Sequence, residues 1–153
     1  MGKNPESELV SNRRAYHHYE ILETLEGGVV LLGSEIKSLR DHGGHLQDAY
    51  VTVTDHRVLL KNSSIAPYRF ATHYNHEERR DRQLLFHKKE ILKLKALSQE
   101  KGLTLIPLSL YLKRGIAKVK VGVAKGKKAY DKRAALKERQ HKRAIDRALK
   151  ERE

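Results

Sequence analysis

The chain has 153 residues, no cysteine, and 32 Lys and Arg against 19 Asp and Glu, for a formal charge of +13. That length suits one core of about 100 residues plus tails, and the missing thiols exclude disulfides, thiolate metal ligands and a cysteine nucleophile. No apolar run reaches the length of a signal peptide or membrane-spanning helix, so a cytosolic home is expected, and the charge favours a polyanion, with nucleic acid ahead of an anionic membrane.

Residues 1–11 are polar, contain Pro5, and read as a flexible segment. Ser11 to His17 form a basic arm into the fold. Residues 18–25 and 28–33 read as two strands joined at Glu26-Gly27-Gly28, where the glycines would supply the positive φ of a tight hairpin. Val29 to Leu32 is a continuous apolar run, which predicts a well-buried strand. Ser34 to Arg40 reads as a short helix, with Ser34 as its cap, Ile36 and Leu39 on its buried face and Arg40 near its C-terminus. Leu46 to Val53 and Arg57 to Asn62 read as a strand pair joined by Thr54-Asp55-His56.

Residues 63–82 have no clean period. At about twenty residues this loop exceeds the usual connection, which points to function or mobility. Lys88 to Lys101 reads as a helix, with Ile91, Leu94 and Leu97 at three-residue spacing and Gly102 as its stop. Leu103 to Leu112 reads as a strand interrupted by Pro107, which implies an edge or a bulge. In Ala117 to Val123 the apolar residues alternate with Lys118 and Lys120, so the two lysines share one face. The expected body, residues 12–124, is mainly β: an OB-type closed antiparallel barrel with added helices, an α+β sandwich being the alternative. Residues 125–153 form a basic tail of helix-forming residues with a sparse apolar stripe, expected to be frayed when free and helical when bound.

The chemistry points to nucleic acid. Lys113, Arg114, Lys118, Lys120, Lys125, Lys127 and Lys128 lie in one stretch without acids, able to neutralise several phosphates. Tyr130 sits in a polar, basic stretch with no core to fill, so its ring is a candidate for stacking on a base. Nine histidines are scattered; His42 with His45, or His73 with His76, could give two metal ligands each, but no H-E-x-x-H is present. No metal or cofactor is expected. Glu35, Asp48 and Asp55 fall in different elements, and Gly122 to Lys128 lacks the spacing of a phosphate-binding loop. An enzyme is therefore not expected.

Six segments together resemble the SsrA-binding protein (SmpB) family. They are Asn12 to His17, Gly33 to Arg40, Asp48 to Val51, Arg82 to Ile91, Leu105 to Tyr111 and Val121 to Arg133, and the resemblance covers roughly residues 10–153. It implies an OB-type barrel that binds the tRNA-like domain of transfer-messenger RNA and, with elongation factor Tu and GTP, delivers it to stalled ribosomes for trans-translation. It places body contacts to RNA on Glu26, Leu85 and His87, with Asn12, Arg13 and Lys37 as further contacts. Read without it, Leu85 is a core residue and Glu26 a hairpin charge. The family tail, disordered in isolation, becomes helical in the empty message channel of the small subunit. Here it would use Lys125, Lys127, Lys128, Asp131, Lys132 and Arg133, with Tyr130 stacking in the decoding centre where some members carry His. His87 likewise stands where some members have Asn. A general RNA chaperone or ribosome-assembly protein is the alternative. A membrane-surface helix is disfavoured by the weak apolar stripe of the tail.

Overall fold

The computed structural model describes residues 6–71 and 74–126. Along the chain run β1 (Glu6–Ser11), α1 (Arg13–His18), β2 (Glu20–Val29), α2 (Gly33–Arg40), β3 (Gly44–His45), β4 (Tyr50–Thr54) and β5 (Arg57–Lys61). Then come β6 (Ser64–Ile65), β7 (Arg82–Leu85), α3 (Lys88–Ser98), β8 (Leu103–Lys113) and β9 (Ile116–Lys125). Strands pair in the order β8-β4-β5-β7-β2-β9, and β9 pairs back onto β8. Six antiparallel strands thereby close an OB-type barrel, which leaves the ring without an open edge. Its interior takes the alternate residues of each strand: Leu25, Val51, Leu60, Leu84, Val119 and Val121 are all at most 8 % exposed. Each such Val or Leu contributes about 1.5–3 kcal/mol by leaving water.

The ends of the barrel explain the helices. α3 buries Leu94 completely, with Ile91 and Leu97 beside it, and packs on β4 and β8; Leu92 points outward. α1 lies outside the ring. Its Ala15 forms a second small core with Ile106, Leu108 and Ala124. Gly122 belongs to this contact, since a Cβ there would come within 2.9 Å of Leu108.

Several expectations need correction. The flexible segment at 1–11 contains β1, which runs antiparallel to β8 from Glu6↔Lys113 to Ser11↔Ser109. The basic arm continues as a helix from Arg13. No hairpin forms at Glu26-Gly27-Gly28, because β2 passes straight through both glycines. Gly27 is small for a different reason: a Cβ there would sit 2.5 Å from the Phe86 ring and 2.8 Å from the Leu85 carbonyl oxygen. The apolar run after it is only part buried, for Val30 and Leu32 are exposed where the chain leaves the sheet. Ser34 does not cap α2; the Glu35 carboxylate accepts from the Leu32 N–H at 2.7 Å instead. Of the two readings of Pro107, the bulge holds, in the register shift between β8 and β9. The 63–82 loop holds β6, pairs it with β3, and ends in β7.

That loop is fastened by a buried charge cluster. Glu35 and Arg82 are both 0 % exposed. Arg82 Nε donates to Glu35 at 2.7 Å, and Arg80 Nη2 donates to the other oxygen at 2.6 Å. Arg82 also donates to Ser63 Oγ and to the Arg80 carbonyl. Burial by itself would raise the Glu35 carboxyl. The Arg80 and Leu32 hydrogen bonds and the Arg82 charge outweigh it and hold the group below the ordinary glutamate range.

Candidate RNA-binding surface

Register carries the candidate residues to one face of the barrel. Leu85 on β7 lies opposite Gly28 on β2, which lies opposite Lys118 on β9, which lies opposite Tyr111 on β8. One step along, Glu26 faces Lys120, which faces Ser109. Val119 and Val121 point inward, so Lys118 and Lys120 point outward together, as their alternation predicted. Glu26 and Gly28 share that outer face. Gly28 keeps the row low, which leaves the Leu85 side chain 52 % exposed beside it. Leu85 is therefore a surface residue, contrary to its reading as core. His87 follows two residues later, exposed, at the N-terminus of α3, where its N–H donates to Glu90 at 3.0 Å.

Glu26 is held rather than loose. The Tyr111 hydroxyl donates to its Oε2, and Lys113 Nζ lies 3.4 Å from Oε1. The Tyr111 hydrogen bond, with Lys113 and Lys118 adding to it, keeps the carboxyl below the ordinary glutamate range despite partial desolvation. An ionised carboxylate is an acceptor only, so this face offers an oriented acceptor and an apolar leucine, flanked by ammonium groups, with the exposed His87 two residues along the chain. Such a set suits base edges and sugar hydroxyls as well as phosphate. The stretch that lacks acids in sequence thus does not lack one in space: β2 brings Glu26 into it.

Other predicted site residues stand elsewhere. Asn12 donates its side-chain amide to the Pro107 carbonyl at 2.9 Å and its backbone N–H to the Leu108 carbonyl at 2.8 Å, bracing the bulge in β8. Arg13 opens α1, exposed. A groove of about 510 Å³ lies beside that helix, lined by Asn12, Arg14, His18, Tyr19 and Tyr50 among others. Lys37 is exposed on α2 with Nζ 6.0 Å from the centre of the Tyr68 ring. Lys125 ends β9, opposite Glu20 and Leu103. Lys127, Lys128, Tyr130, Asp131, Lys132 and Arg133 lie outside the described residues. Of the histidine pairs, His76 is buried with both ring nitrogens engaged, one with Ser34 Oγ and the other with the Ile65 and Ala66 carbonyls. Among the described residues no three His, Asp or Glu groups converge, and no helix is long and apolar enough to cross a membrane.

Fold and face define a class, the small basic barrel of OB type with one polar, cation-flanked surface. A family model described as "SmpB protein" matches residues 9–151. The chain belongs to the SmpB protein family, a family of RNA-binding proteins. It is 61 % identical to an SsrA-binding protein of Protochlamydia amoebophila over 97 % of each chain. Identity is 57 % to one of Chlamydia trachomatis serovar A, covering 94 % of this chain and 95 % of that one. It is 48 % to one of Lactiplantibacillus plantarum, over 97 % and 96 %. A chain in a solved structure described as "tmRNA-SmpB: a journey to the center of the bacterial ribosome" superposes with a TM-score of 0.67 at 46 % identity, over 82 % of this chain and 87 % of that one.

Proposed function

We propose that the chain binds the tRNA-like domain of transfer-messenger RNA, the SsrA RNA, and accompanies it to stalled ribosomes for trans-translation. The observation that carries this reading is the single outer face that joins Glu26, Leu85, Lys118 and Lys120, with His87 exposed two residues past Leu85, in a chain whose relatives are SsrA-binding proteins. Lys118 and Lys120 supply sequence-independent attraction to phosphate. Glu26, fixed by Tyr111, accepts from base or sugar donors, and Leu85 covers a base. Asn12 and Arg13 extend the contact through α1. Delivery would occur with elongation factor Tu and GTP bound to the same RNA.

The basic tail, from Lys125 onward, takes the small-subunit decoding centre and message channel as its partner. A helix over 131–153 would span roughly 30 Å at 1.5 Å per residue, with Tyr130 stacking at its entrance. Intact message would occupy the same channel, so the binding free energy of the tail is available only when the channel is empty. Equal tail-dependent accommodation on ribosomes holding long intact messages contradicts this part of the reading.

The deciding experiment compares affinity for the tRNA-like domain, an ordinary tRNA and a hairpin of matched length at physiological salt. We expect a preference of at least tenfold for the tRNA-like domain, equivalent to about 1.4 kcal/mol, lost in Glu26→Gln and Leu85→Ala. Equal affinity for all three RNAs leaves a general basic RNA binder.

A further inference from the structure

Two aromatic rings stand in water between β6 and β7. Phe70 is 62 % exposed and Tyr74 is 89 % exposed, in a chain with only seven Tyr, two Phe and no Trp. Described residues beside each ring are tied down. Asn75 accepts from the Tyr68 N–H at 3.0 Å and donates to the Tyr68 carbonyl at 2.9 Å. Next to it, buried His76 joins the segment to Ser34 of α2. Arg80 and Arg82 anchor its far end on Glu35. Rings left in water forgo the stabilisation of burial, yet here buried polar groups fix the segment that presents them.

Gly33, Ser34, Lys37, Tyr68, Phe70 and Tyr74 border a cleft of about 270 Å³. That is at or below the low end of small-molecule pockets, ~300–1,000 Å³, and suits one planar group rather than a helix. A Cβ at Gly33 would meet nothing within 4 Å, so this wall is open. Cations stand at the rings: the Arg69 guanidinium lies 4.7 Å from the centre of Phe70, and Lys37 reaches over Tyr68. Asp41 holds Arg69 by its Nε at 3.2 Å. Tyr68 and Phe70 meet edge to face, 5.5 Å apart at 72°, so nothing planar inserts between them. A planar ligand would lie on the outer surfaces of Phe70 and Tyr74. Aromatic surface beside fixed cations, on a chain of charge +13, fits a base with its phosphate better than a peptide.

We propose that this cleft binds one unpaired nucleotide of RNA, its base stacked on Phe70 and Tyr74 and its phosphate against Lys37. The proposal rests on the RNA-binding reading above and adds a contact that shares no residue with the Glu26 row. The test is fluorescence anisotropy of the full chain with labelled hexa-adenylate RNA and with its abasic counterpart. The double variant Phe70→Ala, Tyr74→Ala should weaken hexa-adenylate at least fivefold and leave the abasic strand unchanged. Lys37→Gln should weaken both strands and lower the salt slope by about one. No binding of hexa-adenylate, equal binding by the ring variant, or equal losses on both strands would each overturn the proposal. Running the tRNA-like domain in parallel separates the two readings. A wild-type chain that shows no preference for that domain, while its ring variant still loses hexa-adenylate, fails the first reading and keeps the cleft.

Discussion

Glu35 shows what a single buried charge does for this molecule. It pairs with one fully buried arginine and one partly buried arginine, and it ties α2 to the chain 45 and 47 residues away. Glu35→Gln leaves Arg82 buried without its counter-charge, which should cost about 3–5 kcal/mol in urea denaturation. The pH dependence has a definite sign. The folded-state pKa lies below that of the unfolded chain, so this contribution is complete above the ordinary glutamate value and disappears as pH falls through the folded one. The Gln variant should lose that part of the acid sensitivity; an unaltered acid transition contradicts the assignment. None of this was legible locally, since no spacing announces a partner 47 residues on. Leu84-Leu85 was ambiguous for the same kind of reason. Two adjacent leucines have no period, and only strand pairing sends Leu84 inward and Leu85 outward. The resemblance, not the pattern, put Leu85 and Glu26 forward as RNA contacts. At Gly27 the signal for a turn and the signal for close packing are the same residue, and Phe86 decides between them.

At the scale of elements, strands with clean alternation were readable, and β9 is the clearest case. β1 was not, because ESELVS is polar and becomes a strand only through the edge of β8. It lies outside the closed ring, so its removal should be tolerated. Deleting residues 1–11 is expected to lower stability while preserving the barrel, because Leu9 and Val10 pack on the core. Hydrogen exchange should speed up at Ser109 to Lys113, where β1 pairs, and stay slow at Val119 and Val121. Loss of protection throughout β9 would show that β1 is integral to closure. The long loop illustrates a different limit. Its length pointed to function or mobility, but its anchoring side chains bond to α2 and to backbone carbonyls, which a one-dimensional pattern does not expose.

Over the whole molecule, charge is shared between body and tail. Residues 127–153 carry eleven of the 32 Lys and Arg and five of the 19 Asp and Glu. Ending the chain at Gly126 should leave the preference for the tRNA-like domain intact, because Glu26, Leu85 and His87 remain. Affinity for ribosomes without message should fall and become less dependent on salt, the slope dropping by about 0.7–0.9 for each phosphate that the tail no longer neutralises. An unchanged salt slope on ribosomes would remove the tail from that interface. Composition and charge made a polyanionic partner legible at once, and the strand count behind the barrel reading matched the ring of six only because β2, read as two strands, offset β7, which was not read as a strand. Strand order did not, since the pairings that close the ring join residues far apart in the chain.

The closing pair has a consequence for how the chain is made. β2 begins at Glu20, and its register partner Lys125 lies 105 residues downstream. Contacts of such separation are slow to form, and this one does not exist until Lys125 has been synthesised. Until then the nascent chain holds an open sheet with Leu, Ile and Val exposed along its unpaired strands. Closure waits for β9, the last of the described strands.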